Sequence, residues 1–250
     1  MIYIVMLILH MMADFYIQTD TIVKKKKESC FWLVIHALMY GGTFIIPAII
    51  MSSIYKQFSF IYATLVIIVS HFVIDLIKVF IEKKVNNEGT SIVVYLIDQL
   101  IHIGILYLSY VVFELKRFES SFQFSVLDKS FNLLNVLIYV LMMVILLKPT
   151  SIFVKKCLSV FDISIEGKDT KEHKSIANSG KAIGYFERLL MMILILANQY
   201  SLLGLVLTAK SIARFKDFDH DGFAEKYLIG TLASFITSLL TILILKTFLV

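Results

Sequence analysis

Long apolar runs alternate with short polar or charged segments along the whole chain. The first run ends at the four lysines of residues 24–27, and seven further runs follow it. About 20 apolar residues is the length that a helix needs to cross the hydrocarbon core of a bilayer. The pattern predicts an all-α, polytopic transmembrane bundle of about eight helices, or seven if the sixth and seventh merge. The predicted spans are residues 2–22, 30–51, 58–81, 92–113, 131–147, 182–197, 200–215 and 225–249.

The segments between these runs indicate where the spans end and how the chain divides. Lys148 and Pro149 are predicted to end the fifth span, and residues 151–161, apolar around two lysines, are typical of a helix lying in the membrane interface. Residues 162–181 form the one long polar stretch, and we predict a cytoplasmic loop there. We divide the chain into a first membrane half, residues 1–113, and a second half, residues 114–250.

Composition supports a membrane protein and also explains the basic charge. Hydrophobic residues make up 58% of the chain, charged residues 17%, and the mean hydropathy is +0.83, which excludes an ordinary soluble domain. With the N-terminus outside, most lysines and arginines fall in cytoplasmic connections, as the positive-inside rule requires. The net charge of +5 is therefore no sign of nucleic acid binding. We predict a multi-pass protein of the cytoplasmic (inner) membrane whose partner is the lipid bilayer.

Polar side chains recur at a spacing of four inside the apolar runs. His10, Asp14 and Gln18 lie four apart in the first span, and the pairs His71/Asp75 and Asp98/His102 repeat the spacing in the third and fourth. Residues four apart share one face of a helix. At 1.5 Å per residue, the ionisable groups of these spans and His36 of the second lie about 10 to 20 Å from the charged ends of their spans. We expect them to converge on one site between mid-bilayer and the cytoplasmic face.

Imidazoles and carboxylates on facing helices are typical of a metal site. The predicted ligands are His10, Asp14, His36, His71, Asp75, Asp98 and His102. We expect a divalent transition metal, with Zn favoured over Mn and Fe. A bound metal lowers the pKa of water and supplies a nucleophile, so a membrane hydrolase acting on a lipid-linked or amphipathic substrate is the leading hypothesis.

Roles for individual residues follow from this hypothesis. Asp14, Asp75 and Asp98 are the candidate catalytic carboxylates. Gln18, Arg188, Lys210 and Arg214 are the candidate substrate-binding residues, because the three cations are predicted near the inner boundary, where an anionic head group would lie.

Other functions fit the same residues. Intramembrane ionisable groups also form proton relays and cation paths, so a proton- or cation-coupled transporter is the alternative. A non-enzymatic scaffold subunit, docking through the loop at 162–181, is a third class. No phosphate-binding glycine loop or nucleophile elbow is present in the sequence.

Four motifs of the first half together resemble a known family. They are LHMMADFYIQTD at residues 9–20, HA at 36–37, HFVID at 71–75 and DQLIH at 98–102. Their order and spacing are similar to those of the bacterial membrane proteins grouped as domain of unknown function 3307, and residues 183–188 and 209–215 resemble segments of the longer members. The resemblance implies the fold and the motifs but no reaction. A vaguer similarity to inner-membrane metal-dependent hydrolases, which also place His and Asp in apolar helices, favours the hydrolase hypothesis.

Overall fold

The structure is a computed structural model that describes residues 1–26, 28–84, 88–119, 132–160, 171–219 and 222–249. Within these ranges the chain is helical and has no strand. Its α-helices are α1 (Ile2–Met11), α2 (Asp20–Lys25), α3 (Cys30–Tyr55), α4 (Ser59–Lys84), α5 (Glu88–Val112), α6 (Leu133–Val160), α7 (Lys171–Leu196), α8 (Ser201–Ala213) and α9 (Phe223–Lys246).

Five of the described helices are long and apolar enough to cross a membrane: α3, α4, α5, α6 and α9. The first apolar helix and α8 are shorter. Large hydrophobic side chains are exposed along these helices, for example Leu38 at 69% and Leu100 at 68%, as expected of surfaces that face lipid rather than water. The prediction of a helical transmembrane bundle is confirmed.

The first predicted helix is not continuous. After α1, Met12–Ile17 forms a π-helical segment, and Gln18 then adopts an extended conformation before α2 begins. The side chain of Thr19 starts α2 by accepting a hydrogen bond from the Ile22 amide (3.4 Å). A single span over residues 2–22 was therefore wrong, because a polar residue that can cap a new helix follows the π turn.

Pro149 does not end the fifth span, and α6 continues through it to Val160. Proline has no N–H, so the carbonyl of Ile145 loses its helical donor. The Thr150 hydroxyl donates to this carbonyl instead (2.9 Å). The predicted interfacial helix at 151–161 is therefore part of α6 up to Val160, and residue 161 lies outside the described residues.

The predicted loop at 162–181 is also wrong over its second part. Residues 171–181 belong to α7, since strong helix formers such as lysine, glutamate and alanine recur there and continue into the apolar part of the helix. Residues 162–170 lie outside the described residues.

Two compact units make up the chain, Met1–Leu141 and Met142–Val250. In the first unit α3 packs along α4, and Gly41 admits the side chain of Ile68, which would lie 3.3 Å from a Cβ at that position. An apolar core between α1, α3, α4 and α5 includes Met6, Phe44, Ile67 and Leu106. These four helices also carry six of the seven predicted ligands, and the seventh, Asp14, lies in the π-helical segment after α1.

Candidate metal centre

The polar residues of the four helices converge inside the first unit. The side chains of His10, His36 and His71 are almost wholly buried, at 0%, 1% and 1% exposure. Asp75, Asp98 and His102 are buried as well. The spacing of four predicts that these groups lie together, and the structure brings their ligand atoms close to one another. Burial of this many polar groups is costly unless they bind one another or a ligand.

Asp14 lies in the π-helical segment that follows α1. Such segments widen one turn of a helix and are frequent at functional sites. Gln18 stabilises the break: in the amide orientation that satisfies both of its ends, it donates to the Asp14 carbonyl and accepts from Lys26 Nζ, each at 3.0 Å. Gln18 is buried and holds the backbone next to a site carboxylate.

Three ligand atoms form the tightest group. His36 Nε2 lies 3.2 Å from both His71 Nε2 and Asp14 Oδ1, and His71 Nε2 lies 3.5 Å from the same Asp14 oxygen. Asp75 Oδ2 lies 3.3 Å from His36 Nε2. Tetrahedral coordination with bonds of 2.0 to 2.1 Å separates neighbouring ligand atoms by roughly 3.3 Å. The ligand atoms of Asp14, His36 and His71 therefore have the spacing of three ligands in a tetrahedral metal site.

A second group shares His71 with the first and adds Asp75 and His102, with one ligand atom of each within 4.8 Å of the others. His102 Nδ1 lies 2.8 Å from the Asp98 backbone carbonyl. A carbonyl can only accept, so Nδ1 carries the hydrogen and Nε2 keeps a lone pair. Ligating histidines are commonly held in this way.

Several buried atoms near these groups have no hydrogen-bond partner among the described residues. They include Asp14 Oδ1 of the first group, and also His10 Nε2, His71 Nδ1 and His102 Nε2. A buried polar atom without a partner costs about 1 to 3 kcal/mol. Imidazole nitrogens and carboxylate oxygens are the donors that Zn, Mn and Fe take, and one such oxygen, Asp14 Oδ1, has no hydrogen-bond partner in the described part of the chain, so the residues present fit a divalent transition metal.

Two lysines complete the charge balance of the site. Lys26 Nζ lies 3.1 Å from Asp75 Oδ2, with 9% and 2% of the two side chains exposed, and Lys78 Nζ forms an ion pair with Asp98. Three carboxylates and two ammonium groups leave one negative charge. One divalent ion would change this to one positive charge, whereas a second ion would leave three positive charges in a buried site. The charges therefore favour a single metal ion.

Sequence reasoning missed four residues of the site: Lys26, Lys78, Tyr40 and Gln99. Tyr40 donates to or accepts from His10 Nδ1 at 3.1 Å, and its ring stacks on His71 with centroids 3.6 Å apart. Gln99 Nε2 donates to Asp14 Oδ2 (3.3 Å) and Asp98 Oδ2 (3.1 Å). The spacing of four from His36 would have identified Tyr40.

Of the seven predicted ligands, the structure brings five into the two groups. His10 and Asp98 border these groups. The His10 ring stacks on His102 with centroids 5.3 Å apart, and the Asp98 backbone holds His102 Nδ1.

The three predicted substrate-binding cations lie in the second unit. Arg188 is buried; its Nε donates to the Leu146 carbonyl, and its terminal nitrogens donate to Ser151 Oγ (2.6 Å) and Ser234 Oγ (3.1 Å). These bonds stabilise α6 beside Pro149. Lys210 pairs with Glu187 (2.7 Å), and Arg214 caps the end of α8. Their substrate role stays a prediction.

A family model described as a protein of unknown function (DUF3307) matches residues 2–131, just over half of the 250 residues. The chain belongs to this family, and the matched segment contains every member of the two ligand groups. No curated protein and no solved structure matches the chain.

Proposed function

We propose that this integral membrane protein is a metal-dependent hydrolase that cleaves a lipid-linked or amphipathic substrate at the cytoplasmic leaflet. One observation carries the proposal: ligand atoms of Asp14, His36 and His71 lie 3.2 to 3.5 Å apart inside an apolar helical unit. The lysines that follow the first apolar segment support the cytoplasmic side, by the positive-inside rule.

Each residue of the site has a role in this proposal. Asp14, His36 and His71 hold the ion, and Asp75 is the fourth ligand. When bound, the ion supplies Lewis acidity, which polarises a substrate oxygen and activates water. His102 Nε2, an acceptor by its tautomer, takes the proton from water. Lys26 and Lys78 give the site with one divalent ion a net positive charge of one, which would attract an anionic head group.

Elemental mass spectrometry of detergent-purified protein tests the metal centre. We expect about one equivalent of Zn, Mn or Fe in the wild type, as the charge balance favours one ion. Asp14→Asn and His36→Gln should each lose it. His10→Gln is the matched control, since His10 borders the ligand groups, and it should keep the metal.

A wild-type protein that stays metal-free after reconstitution with Zn, Mn and Fe would refute the centre. If the metal is present, phosphoester and amide lipids are then screened for hydrolysis, with Asp14→Asn as the inactive reference. Metal without turnover of any of these lipids would contradict the hydrolase.

Proton- or cation-coupled transport is the second candidate, favoured by the ion pairs Lys26–Asp75 and Lys78–Asp98, which reach into the cluster. A transport path must continue to the other face. In the described helices the polar stripe instead ends against an apolar layer of Met6, Phe44 and Ile67. Flux in sealed vesicles that is lost in Asp98→Asn would favour transport over hydrolysis.

A further inference from the structure

An apolar cavity of about 250 Å³ lies in the first unit between α1, α3 and α4. Its lining includes Leu9 from α1, Phe44 and Ala48 from α3, and Ala63 and Ile67 from α4. Of the described residues that line it, none is charged. The cavity is larger than the engineered apolar cavity of about 150 Å³ that takes up benzene, so a segment of hydrocarbon chain fits within it.

The cavity and the metal centre lie on the same face of three helices. On each helix a cavity residue and two residues of the polar site follow one another at a spacing of four, which keeps them on one side. These are Met6, His10 and Asp14 on α1 and the turn after it, Phe44, Tyr40 and His36 on α3, and Ile67, His71 and Asp75 on α4.

Tyr40 joins the two sites. Its ring stacks on Phe44, a wall of the cavity, with centroids 5.0 Å apart, and on His71, a predicted ligand, with centroids 3.6 Å apart. Its hydroxyl contacts His10 Nδ1 at 3.1 Å. The apolar cavity therefore begins where the polar cluster ends, with one aromatic side chain touching both.

The cavity also reaches the lipid-facing surface. Ile50 lines it and is 54% exposed, and Pro47 lines it on the turn before. Along the helices the order is lysines, polar cluster, cavity. An amphiphile whose anionic head lies near Lys26 would point its tail toward the cavity.

We infer that the cavity binds the hydrocarbon tail of the substrate, a lipid with an anionic head group. The inference rests on the proposed function, because it places the scissile head at the metal centre. It adds a tail-length limit set by fit: the bilayer that the tail leaves is as apolar as the cavity, so a tail segment is accepted up to the volume of the cavity and no further.

Photolabelling of the metal-loaded protein in phosphatidylcholine nanodiscs tests the inference. The probe is a long-chain alkylphosphonate with a diazirine at the end of its tail, and its head group resists hydrolysis. Peptide mass spectrometry should find the label on cavity residues of α1, α3 and α4. Ala48→Phe fills the cavity, and the labelling of cavity residues should be lost, because the added ring occupies the space of the tail.

Ile49→Phe is the matched control, because it introduces the same side chain at the neighbouring residue, which is 52% exposed. Its labelling should equal that of the wild type. Ala63→Leu fills the cavity from α4 and serves if Ala48→Phe does not fold.

Label found only on lipid-facing residues, or equal in the wild type and both filled variants, would overturn the tail site. Metal content is measured on the same samples. A labelled cavity in a wild type that binds no metal would support the tail site and refute the hydrolase. An unlabelled cavity in a metal-loaded protein would refute the tail site and leave the hydrolase standing.

Discussion

Lys26 provides the sharpest test of the site, because a neighbouring lysine is its control. Lys25 and Lys26 belong to the same basic block, and replacing either by glutamine removes one positive charge. If the block only orients the protein in the membrane, Lys25→Gln and Lys26→Gln should behave alike. If Lys26 belongs to the site, its variant should lower the stability of the protein several times more than Lys25→Gln does, and only its variant should change the response to metal.

The structure gives the expected size of each effect. Lys26 is buried against Asp75 at 3.1 Å, and removing one partner of a buried ion pair costs about 3 kcal/mol. For a chain of this size that lowers the melting temperature by about 6 to 12 °C. Lys25 is exposed, with Nζ 4.5 Å from the centre of the Trp32 ring. Such an exposed cation–π contact contributes about 0.5 to 1 kcal/mol.

Thermal unfolding in detergent, followed by far-UV circular dichroism with and without Zn, is the assay. Zn should stabilise Lys26→Gln more than the wild type, because the Asp75 carboxylate no longer has to leave an ammonium group. At a free metal concentration of 100 times Kd, binding adds about 2.7 kcal/mol. Equal melting temperatures for the two variants, or equal stabilisation by Zn in Lys26→Gln and wild type, would refute this account of the site.

Two smaller substitutions test the contacts around the site and around the proline. Tyr40→Phe keeps both ring stacks but removes the hydroxyl contact with His10. It should lower the free energy of unfolding by about 1 kcal/mol and leave the metal content unchanged. Loss of metal would show that the Tyr40 hydroxyl is needed for metal binding. Thr150→Val should cost a similar amount while Pro149 is present, because the Ile145 carbonyl then has no donor. In a Pro149→Ala background the same change should be nearly neutral, and a double-mutant cycle without coupling would contradict this role of the threonine.

The helix face on which each predicted ligand lies was predictable, since it depends only on helical periodicity. A spacing of four on α4 and α5 fixes the face of His71, Asp75, Asp98 and His102 whatever the exact helix ends are. Hydropathy likewise identified the long membrane helices. These features depend on residues that are close together in the chain, so spacing and hydropathy are enough to predict them.

The contacts that depend on a break in a helix were not predictable. Lys26 was assigned to membrane orientation, because a block of four lysines has that meaning in most membrane proteins. It reaches Asp75 because the chain leaves the helix at Gln18. The continuation of α6 through Pro149 similarly depends on one hydroxyl. Neither effect changes average hydropathy, which is the quantity that locates spans.

Arg188 has a consequence for how the protein is made. The helix that carries it, α7, is not one of the five that are apolar enough to cross a membrane, and an arginine at the centre of an isolated helix adds about 2.5 to 3.5 kcal/mol to the free energy of insertion by the translocon. Its guanidinium binds α6 carbonyls beside Pro149. The α6 carbonyls thus accept from the arginine that makes α7 costly to insert alone, and because α6 precedes α7 in the chain, we expect α7 to insert against an α6 already present. We therefore expect Arg188→Leu to let α7 insert without α6, and Arg188 itself to make the insertion of α7 depend on α6.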